Sequence, residues 1–209
     1  PTPAAAEALV RERVLPLPVE SRPLESLAGA VLAQSVRSER DQPPFDRVAM
    51  DGIAISTAAW SRGRREFRIA GVQAAGARPR PLDDAEACLE AMTGAVLPPG
   101  ADAVIPVERL RVADGIAYVV EALEVAPGLN VHGRGSDVRA GDRVLSPGVV
   151  LRAPEIAILA SAGRPHVEVA RSPSIAVIST GDELVEPGVA IEDWQVRRSN
   201  VHGVVAALS

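Results

Sequence analysis

Four groups of polar side chains in this sequence have the types and spacing to do chemistry. The first lies in Pro43-Pro44-Phe45-Asp46-Arg47-Val48-Ala49-Met50-Asp51-Gly52, which sets two carboxylates, a ring and a glycine behind a proline pair. Pro44 drives Pro43 toward an extended conformation. Gly52 permits a backbone angle or a close approach that other residues resist. Asp51 is therefore expected at a bend, just before the apolar Ile53-Ala54-Ile55. A carboxylate fixed at a loop-to-strand junction suits a cation ligand or an acid that handles phosphate. The second group is Met92-Thr93-Gly94, followed by the turn Pro98-Pro99-Gly100-Ala101-Asp102, and the third is Arg134 with Asp137. The fourth is Ser179-Thr180-Gly181-Asp182-Glu183, with Arg197, Arg198, Ser199 and Asn200 beyond it.

The fourth group has the clearest physical basis. In open α/β sheets, ligands bind outside the carboxyl ends of the strands. Gly181 would let backbone approach a ligand, Thr180 could donate a hydrogen bond, and Asp182 or Glu183 could hold a divalent cation. Ser199 and Asn200 would open the next helix, whose amides favour phosphate. The other groups each have a plainer alternative. Asp51 could cap a turn, Thr93-Gly94 could be a loop entry, and Arg134 with Asp137 could be a surface ion pair. His132, His166 and His202 have no metal-ligand spacing and are expected to be structural or exposed.

Several elements must position these groups. A helix is expected from Thr2 to about Leu15, with Thr2 as cap and Pro3 in the first turn. A second helix is expected where Leu24, Leu27, Ala28, Val31 and Leu32 fall at helical spacing. From Asp51 to about Asn130, short apolar runs alternate with turn signals, which predicts a β-rich region. The stretch from Asp83 to Met92 fits helix by its alanines and strand by its Cys88-Leu89-Glu90-Ala91-Met92 run. A Pro147-Gly148 turn should join Val144-Leu145 to Val149-Val150-Leu151. A helix should follow from Pro154 to Ala162, stopped by Gly163, and then a strand at Val167-Glu168-Val169. Ser174–Ser179 reads as a buried strand of a parallel sheet, and Val201, Val204, Val205 and Leu208 as a helix capped by Ser199 or Asn200. Together they would begin a doubly wound α/β domain.

Composition narrows the function classes. The 209 residues carry a net charge of -5, with 47% hydrophobic and 23% charged residues, as in ordinary globular proteins. Acidic charge and 2% aromatics argue against nucleic acid as a partner. No apolar run is long enough to span a bilayer, and Pro1-Thr2-Pro3-Ala4 lacks the start of a signal peptide. A cytoplasmic protein without membrane partners is expected. Cys88 is the single cysteine, so neither an internal disulfide nor a cysteine zinc site is available. All 22 basic residues of the Lys+Arg count are arginine, so no lysine chemistry can be done by this chain.

In order along the chain, these groups resemble the molybdopterin molybdenumtransferase family, the MoeA proteins and the E domain of gephyrin. The resembling pieces are PPFDRVAMDGIAI at 43–55, AMTGAVLPPGADAVIPVE at 91–108, GLNVHGRGSDVRAGDRVLSPG at 128–148, SIAVISTGDELVEPG at 174–188 and RRSN at 197–200. The resemblance implies an α+β multidomain chain corresponding to the family's N-terminal part. A discontinuous α/β domain I would comprise 1–43 and 140–172, with a β-rich domain II inserted at 44–139. Residues 173–209 would start a doubly wound, MogA-like α/β domain III. It also implies that the stretch before Thr93 is a strand.

The implied activity is molybdenum cofactor biosynthesis. Molybdate is inserted into adenylylated molybdopterin with release of AMP, assisted by Mg2+, in a homodimer supplied by a molybdopterin adenylyltransferase. The family pattern places Asp51, Thr93, Asp137 and Glu183 at catalytic positions. Asp51 and Glu183 would organise the cation or water, Thr93 would hydrogen-bond substrate, and Arg134 with Asp137 would shape the cleft. Asp46, Arg134, Thr180, Gly181, Asp182, Ser199 and Asn200 would contact substrate. The active cleft would lie between the domain I–II end of one subunit and domain III of its partner. The chain departs from the family at Arg198, where an aspartate is common, and at His132 and Gly133, where some members have arginine. Loops of domain III rich in glycine or bearing lysine, and all of domain IV, have no counterpart, so this piece is expected to be inactive alone. The alternative is a non-catalytic dimerising scaffold, or a fragment that binds a pterin or a nucleotide.

Overall fold

The computed structural model describes residues 2–120 and 123–208. The chain divides into two units. The larger runs from Glu20 to Val169, and the smaller comprises the chain up to Val19 and from Ala170 onward.

The larger unit is dominated by a six-stranded mixed sheet. Its strands run in the order Ala103–Pro106, Gly52–Ile55, Ala87–Ala91, Glu66–Gln73, Ile116–Val119, Leu110–Ala113. All neighbours are antiparallel except Glu66–Gln73 with Ala87–Ala91, whose parallel register shifts between Ile69 and Val72. The β-rich region is thus borne out, and the ambiguous stretch before Thr93 is a strand. Its Ala87, Cys88 and Leu89 are all buried, which a central strand covered on both faces requires. Ile53, Ile55, Trp60, Phe67, Cys88 and Ile105 form the main core on this sheet. A smaller cluster of Val48, Ala54, Ala91, Ala95 and Val104 packs separately. Its side chains are short, so the backbone segments that carry them can approach closely.

A second core gathers residues from both ends of this unit. Leu27, Leu32 and Val36 pack with Leu145, Leu151, Leu159, Val167 and Val169. The helix Ala153–Ser161 lies within a residue of its expected span, begins with the prolyl turn and ends ahead of Gly163 at φ +70°. The strand His166–Ala170 pairs with Val19–Pro23, and Arg143–Leu145 pairs with Val36–Arg37. The Pro147-Gly148 turn joins the strand Arg143–Leu145 to 149–151 as expected, but the two stretches do not pair. Val150 instead bridges Val31.

The expected helix over Leu24–Leu32 does not form. Only a single 3-10 turn, Leu24–Ser26, is present. Gly29 takes φ +80°, which no right-handed helix accommodates. The backbone donors beyond it find non-local partners: Gly29 N–H donates to Leu151 O, Leu32 N–H to Val149 O and Ala33 N–H to Glu168 O. The apolar spacing served burial from two sides of an irregular segment rather than one helix face.

In the smaller unit, the helix Pro3–Arg13 starts as expected, with the Thr2 hydroxyl accepting from Ala5 N–H at 3.3 Å. Ser174–Ser179 is not a strand. A parallel strand needs a neighbour for its backbone groups, and none of the described residues pairs with it. The only pairing in this stretch is the short parallel couple Leu184–Val185 and Val196–Arg197. The helix Asn200–Leu208 forms where its apolar spacing indicated. Among the described residues no helix is long and apolar enough to cross a membrane.

Candidate functional site

Three stretches that are far apart in sequence meet along the short strand Arg47–Val48. On one side Val48 N–H donates to Ala95 O, Gly94 N–H donates to Val48 O, and Leu97 N–H donates to Asp46 O, each at 2.8 to 2.9 Å. On the other side Val48 pairs with Val131 and Arg47 with His132, and Ala49 N–H donates to Asn130 O at 3.0 Å. The proline-opened segment, the Thr-Gly loop and the glycine-rich passage are thus held together by main-chain bonds. Their side chains are displayed above.

Asp51 sits at the bend before the strand Gly52–Ile55, as the sequence indicated. Its Oδ1 accepts two hydrogen bonds from Thr93, from the amide at 2.7 Å and from the hydroxyl at 2.6 Å. The Thr93 hydroxyl first, and its amide second, hold the Asp51 carboxyl below its ordinary value. Asp51 is exposed, and its Oδ2 takes no hydrogen bond from the described residues. The need for Gly52 is steric. A β-carbon there would overlap the Ile105 carbonyl oxygen and lie 2.8 Å from Ile105 C and 2.9 Å from Pro106 Cα on the adjacent strand. A close approach, and not a left-handed angle, is what fixes the residue after Asp51.

The loop behind Thr93-Gly94 is tied down by a residue that the sequence did not advertise. Gln73 is fully buried. Its Oε1 accepts from Arg80 N–H at 2.7 Å, and its Nε2 donates to the carbonyls of Ala74, Ala77 and Arg78 at 3.3 to 3.5 Å. A lone amide between Val72 and Ala74-Ala75-Gly76 was the available signal.

Arg134 and Asp137 do not pair with each other, which sets aside the surface-ion-pair alternative. Arg134 Nε donates to Asp41 Oδ2 at 2.6 Å, and its amide donates to Asp46 Oδ1 at 2.8 Å. Asp46 therefore caps the turn that carries Arg134. Asp41 also accepts from Ala140 N–H at 2.9 Å. That amide first, and the Arg134 guanidinium second, lower the Asp41 carboxyl from its ordinary value. Nothing in the sequence pattern marks Asp41 as part of the site. Asp137 instead meets His132, with Nε2 to Oδ1 at 2.9 Å, and the other imidazole nitrogen, Nδ1, is 3.0 Å from Arg47 Nη2. His132 is thus structural, bridging Arg47 and Asp137. Asp137 also lines a cavity of about 720 Å3, together with Gln42 and Ser161.

The fourth group belongs to the smaller unit. Gly181 to Leu184 form a turn, closed by Leu184 N–H to Gly181 O at 3.2 Å, with Asp182 and Glu183 at its centre. The Glu183 carboxylate folds back over Gly181, at 2.7 Å from where a β-carbon would stand, and Gly181 has φ +147°. Thr180, Asp182 and Glu183 are exposed, as are Ser199 and Asn200 at the start of the last helix. Arg197 donates to the carbonyls of Glu186 and Val189, and Arg198 pairs with the Glu186 carboxylate. Both arginines brace the 186–189 loop.

No three His, Cys, Asp or Glu side chains converge on a metal position among the described residues. One free carboxylate oxygen on Asp51 does fit magnesium, which takes one or two carboxylates and completes its shell with water and substrate phosphate.

These features define an α+β protein in which loops on a mixed β insert, joined through one short strand, present an acid held by a threonine. Residues 2–163 match the family model "MoeA N-terminal region (domain I and II)". The chain belongs to the MoeA family. It is 43% identical over 180 residues to a molybdopterin molybdenumtransferase of Synechocystis sp., which covers 86% of this chain and 46% of that protein. A Staphylococcus epidermidis protein of the same name is 33% identical over 181 residues, covering 85% and 43% respectively. A solved molybdopterin biosynthesis MoeA protein from Pyrococcus horikoshii superposes with TM-score 0.80 at 32% identity, over 91% of this chain and 52% of that one. A second MoeA structure from that organism gives TM-score 0.78 at 30% identity, over 98% and 53%. The chain spans about half the length of the relatives it matches.

Proposed function

We propose that this chain contributes to molybdenum insertion, supplying the Asp51–Thr93 side of a site that cleaves adenylylated molybdopterin and loads molybdate. The observation that carries this reading is the Asp51 carboxylate. Thr93 fixes one of its oxygens with two hydrogen bonds, and the other is open to solvent. The substrates are anionic, and the chain as a whole is acidic. A divalent cation resolves that conflict, and Mg2+ held by Asp51, with Glu183 of a second copy as another carboxylate, would polarise the phosphoanhydride and screen the two anions.

The chain's own residues have separate tasks in this reading. Thr93 keeps Asp51 ionised and aimed. Asp41 and Asp46 hold Arg134 by its side chain and its amide, and so orient a cation for the substrate's phosphate. Thr180, Gly181 and Asp182 in the turn, and Ser199 and Asn200 at the last helix, offer donors to the same class of anion. A homodimer, an adenylyltransferase that provides the substrate, and a cytoplasmic setting belong to the same proposal, as does assignment of the segment beyond Pro173 to a doubly wound domain.

The test is a chimera in which this chain is joined to the C-terminal half of the Synechocystis relative. With Mg2+, molybdate and adenylylated molybdopterin, the chimera should release AMP. Asp51→Asn should lower that release at least a hundredfold with an unchanged circular dichroism spectrum. Undiminished release by the variant would refute the role given to Asp51.

A further inference from the structure

We propose that His132 is a positioning residue that sets the Asp137 carboxylate, acting as a neutral imidazole with its proton on Nε2. The assignment follows from what its neighbours can do. Arginine has only donors, so Arg47 Nη2 at 3.0 Å from Nδ1 requires Nδ1 to be an unprotonated acceptor. The single proton of a neutral ring then lies on Nε2, which donates to Asp137 Oδ1 at 2.9 Å. An imidazole can take up the Nδ1–H form without any change in heavy-atom position, and here Arg47 excludes that form.

The result is a directed chain from Arg47 through His132 to Asp137. Its anchor is rigid, because Arg47 and His132 are cross-strand partners in the short pair that joins the three site segments. Its far end is the rim of the 720 Å3 cavity lined by Asp137, Gln42, Ser38, Val138, Ile158 and Ser161. Asp137 N–H is itself bonded to Gln42 O at 2.9 Å, so backbone and side chain are both fixed. Arg134 is turned to Asp41 by its side chain and to Asp46 by its amide, and does not pair with Asp137. The Thr93 side of the strand brings no charge of its own, since 92–97 contains no titratable side chain. The groups facing the imidazole are therefore Arg47 on one nitrogen and Asp137 on the other. Protonating the ring sets donor against donor at Arg47 and breaks the chain at that end.

This inference rests on the proposed activity only for a catalytic position of Asp137, which the family resemblance implies, and its first test needs no substrate. Imidazole 15N shifts of the 209-residue chain at pH 8 should show His132 protonated at Nε2. An Nδ1–H signal would overturn the assignment. The second test uses side chains that copy one or both contacts. His132→Gln places an acceptor toward Arg47 and a donor near the Nε2 position, and cannot titrate. His132→Asn reaches Arg47 but not Asp137. In the chimera, His132→Ala and His132→Asn should lower kcat for AMP release about tenfold, the order expected for losing one charge-assisted hydrogen bond. KM should change less, and His132→Gln should recover most of the loss. Equal rates for Asn and Gln would overturn the positioning role. Failure of the unsubstituted chimera would count against the proposed activity alone, and the 15N spectrum would still decide the tautomer.

Discussion

Gly52→Ala isolates the steric basis of the site. The added β-carbon would lie 2.8 Å from Ile105 C and 2.9 Å from Pro106 Cα, and would overlap the Ile105 carbonyl oxygen. Carbon atoms pack at about 3.5 to 4.0 Å, so the strands Gly52–Ile55 and Ala103–Pro106 must part by about 1 Å. Neither can yield through a side-chain rotation, because the obstacle is backbone. Overpacking of this kind costs about 1–3 kcal/mol. Parting also strains the Val107 N–H to Asp51 O bond, 2.9 Å long, and its neighbour in the ladder, at about 1 kcal/mol each. The total is about 3–5 kcal/mol. The chain has two tryptophans that separate its units: Trp60 is buried in the larger, and Trp194 is 68% exposed in the smaller. With a urea slope of about 2 kcal/mol per molar, the transition of the Trp60 signal should fall by about 2 M. Gly115→Ala is the control. Its φ is +74° but its surroundings are open, so only a backbone penalty of about 1 kcal/mol applies. A Gly52→Ala midpoint no lower than that of Gly115→Ala would refute the close-approach explanation.

Thr93→Val removes the main cause of the low Asp51 carboxyl, so Asp51 should titrate at higher pH in carboxylate 13C spectra. Because the native carboxyl is depressed, its contribution to stability is present above the unfolded value and lost as pH falls through the folded one. The variant should therefore show a weaker loss of stability in acid, and an unmoved Asp51 titration would contradict the hydrogen-bond assignment. Cys88 is pushed up to about 12, first by burial and then by the nearby Glu90 charge. At pH 8 only about one thiol in ten thousand would be ionised, so labelling with a thiol reagent should follow unfolding, and rapid labelling of native protein would refute this. Asp102 accepts from the Thr57 amide at 2.7 Å and from its hydroxyl at 2.6 Å, holding the short helix Thr57–Ser61 from across the fold. Asp102→Ala should cost about 1–2 kcal/mol in urea unfolding and Asp102→Asn clearly less, and equal costs would remove the capping role.

The parts of this protein legible in sequence are those set by local rules. Thr2, Pro154 and Gly163 mark helix ends through their own backbone chemistry, and Asp51 was placed at its bend by Pro44 and Gly52. The Leu24–Leu32 segment shows where such rules fail. Its spacing matches a helix, yet its donors bond to 149–151 and to Glu168, partners more than a hundred residues away. Ser174–Ser179 has the residues of a buried strand, but strand formation depends on a neighbour that its own sequence does not contain. The site follows the same division. Asp51 and Thr93 were found by their chemistry and by resemblance to a family. Arg134 and Asp137, three residues apart, suggested a pair that the turn between them prevents. Asp41 and His132 act on those two through contacts that only the folded chain creates.

The passage into and out of the β insert has a consequence of its own. Gln42 N–H donates to Val138 O, Asp137 N–H to Gln42 O, and Gly135 N–H to Pro43 O. The outgoing and returning stretches therefore run side by side, like the two edges of a closed seam. The insert's ends are already together, so its intervening ninety-odd residues impose almost no tether on the core built from Leu27, Leu151 and Leu159. The two sides of the seam have separate cores, with Leu27, Leu151 and Leu159 in one and Ile53, Phe67 and Ile105 in the other. Exchange of whole inserts between relatives then carries Asp51, Thr93 and His132 as one block, and a graft of any single loop leaves its partners behind.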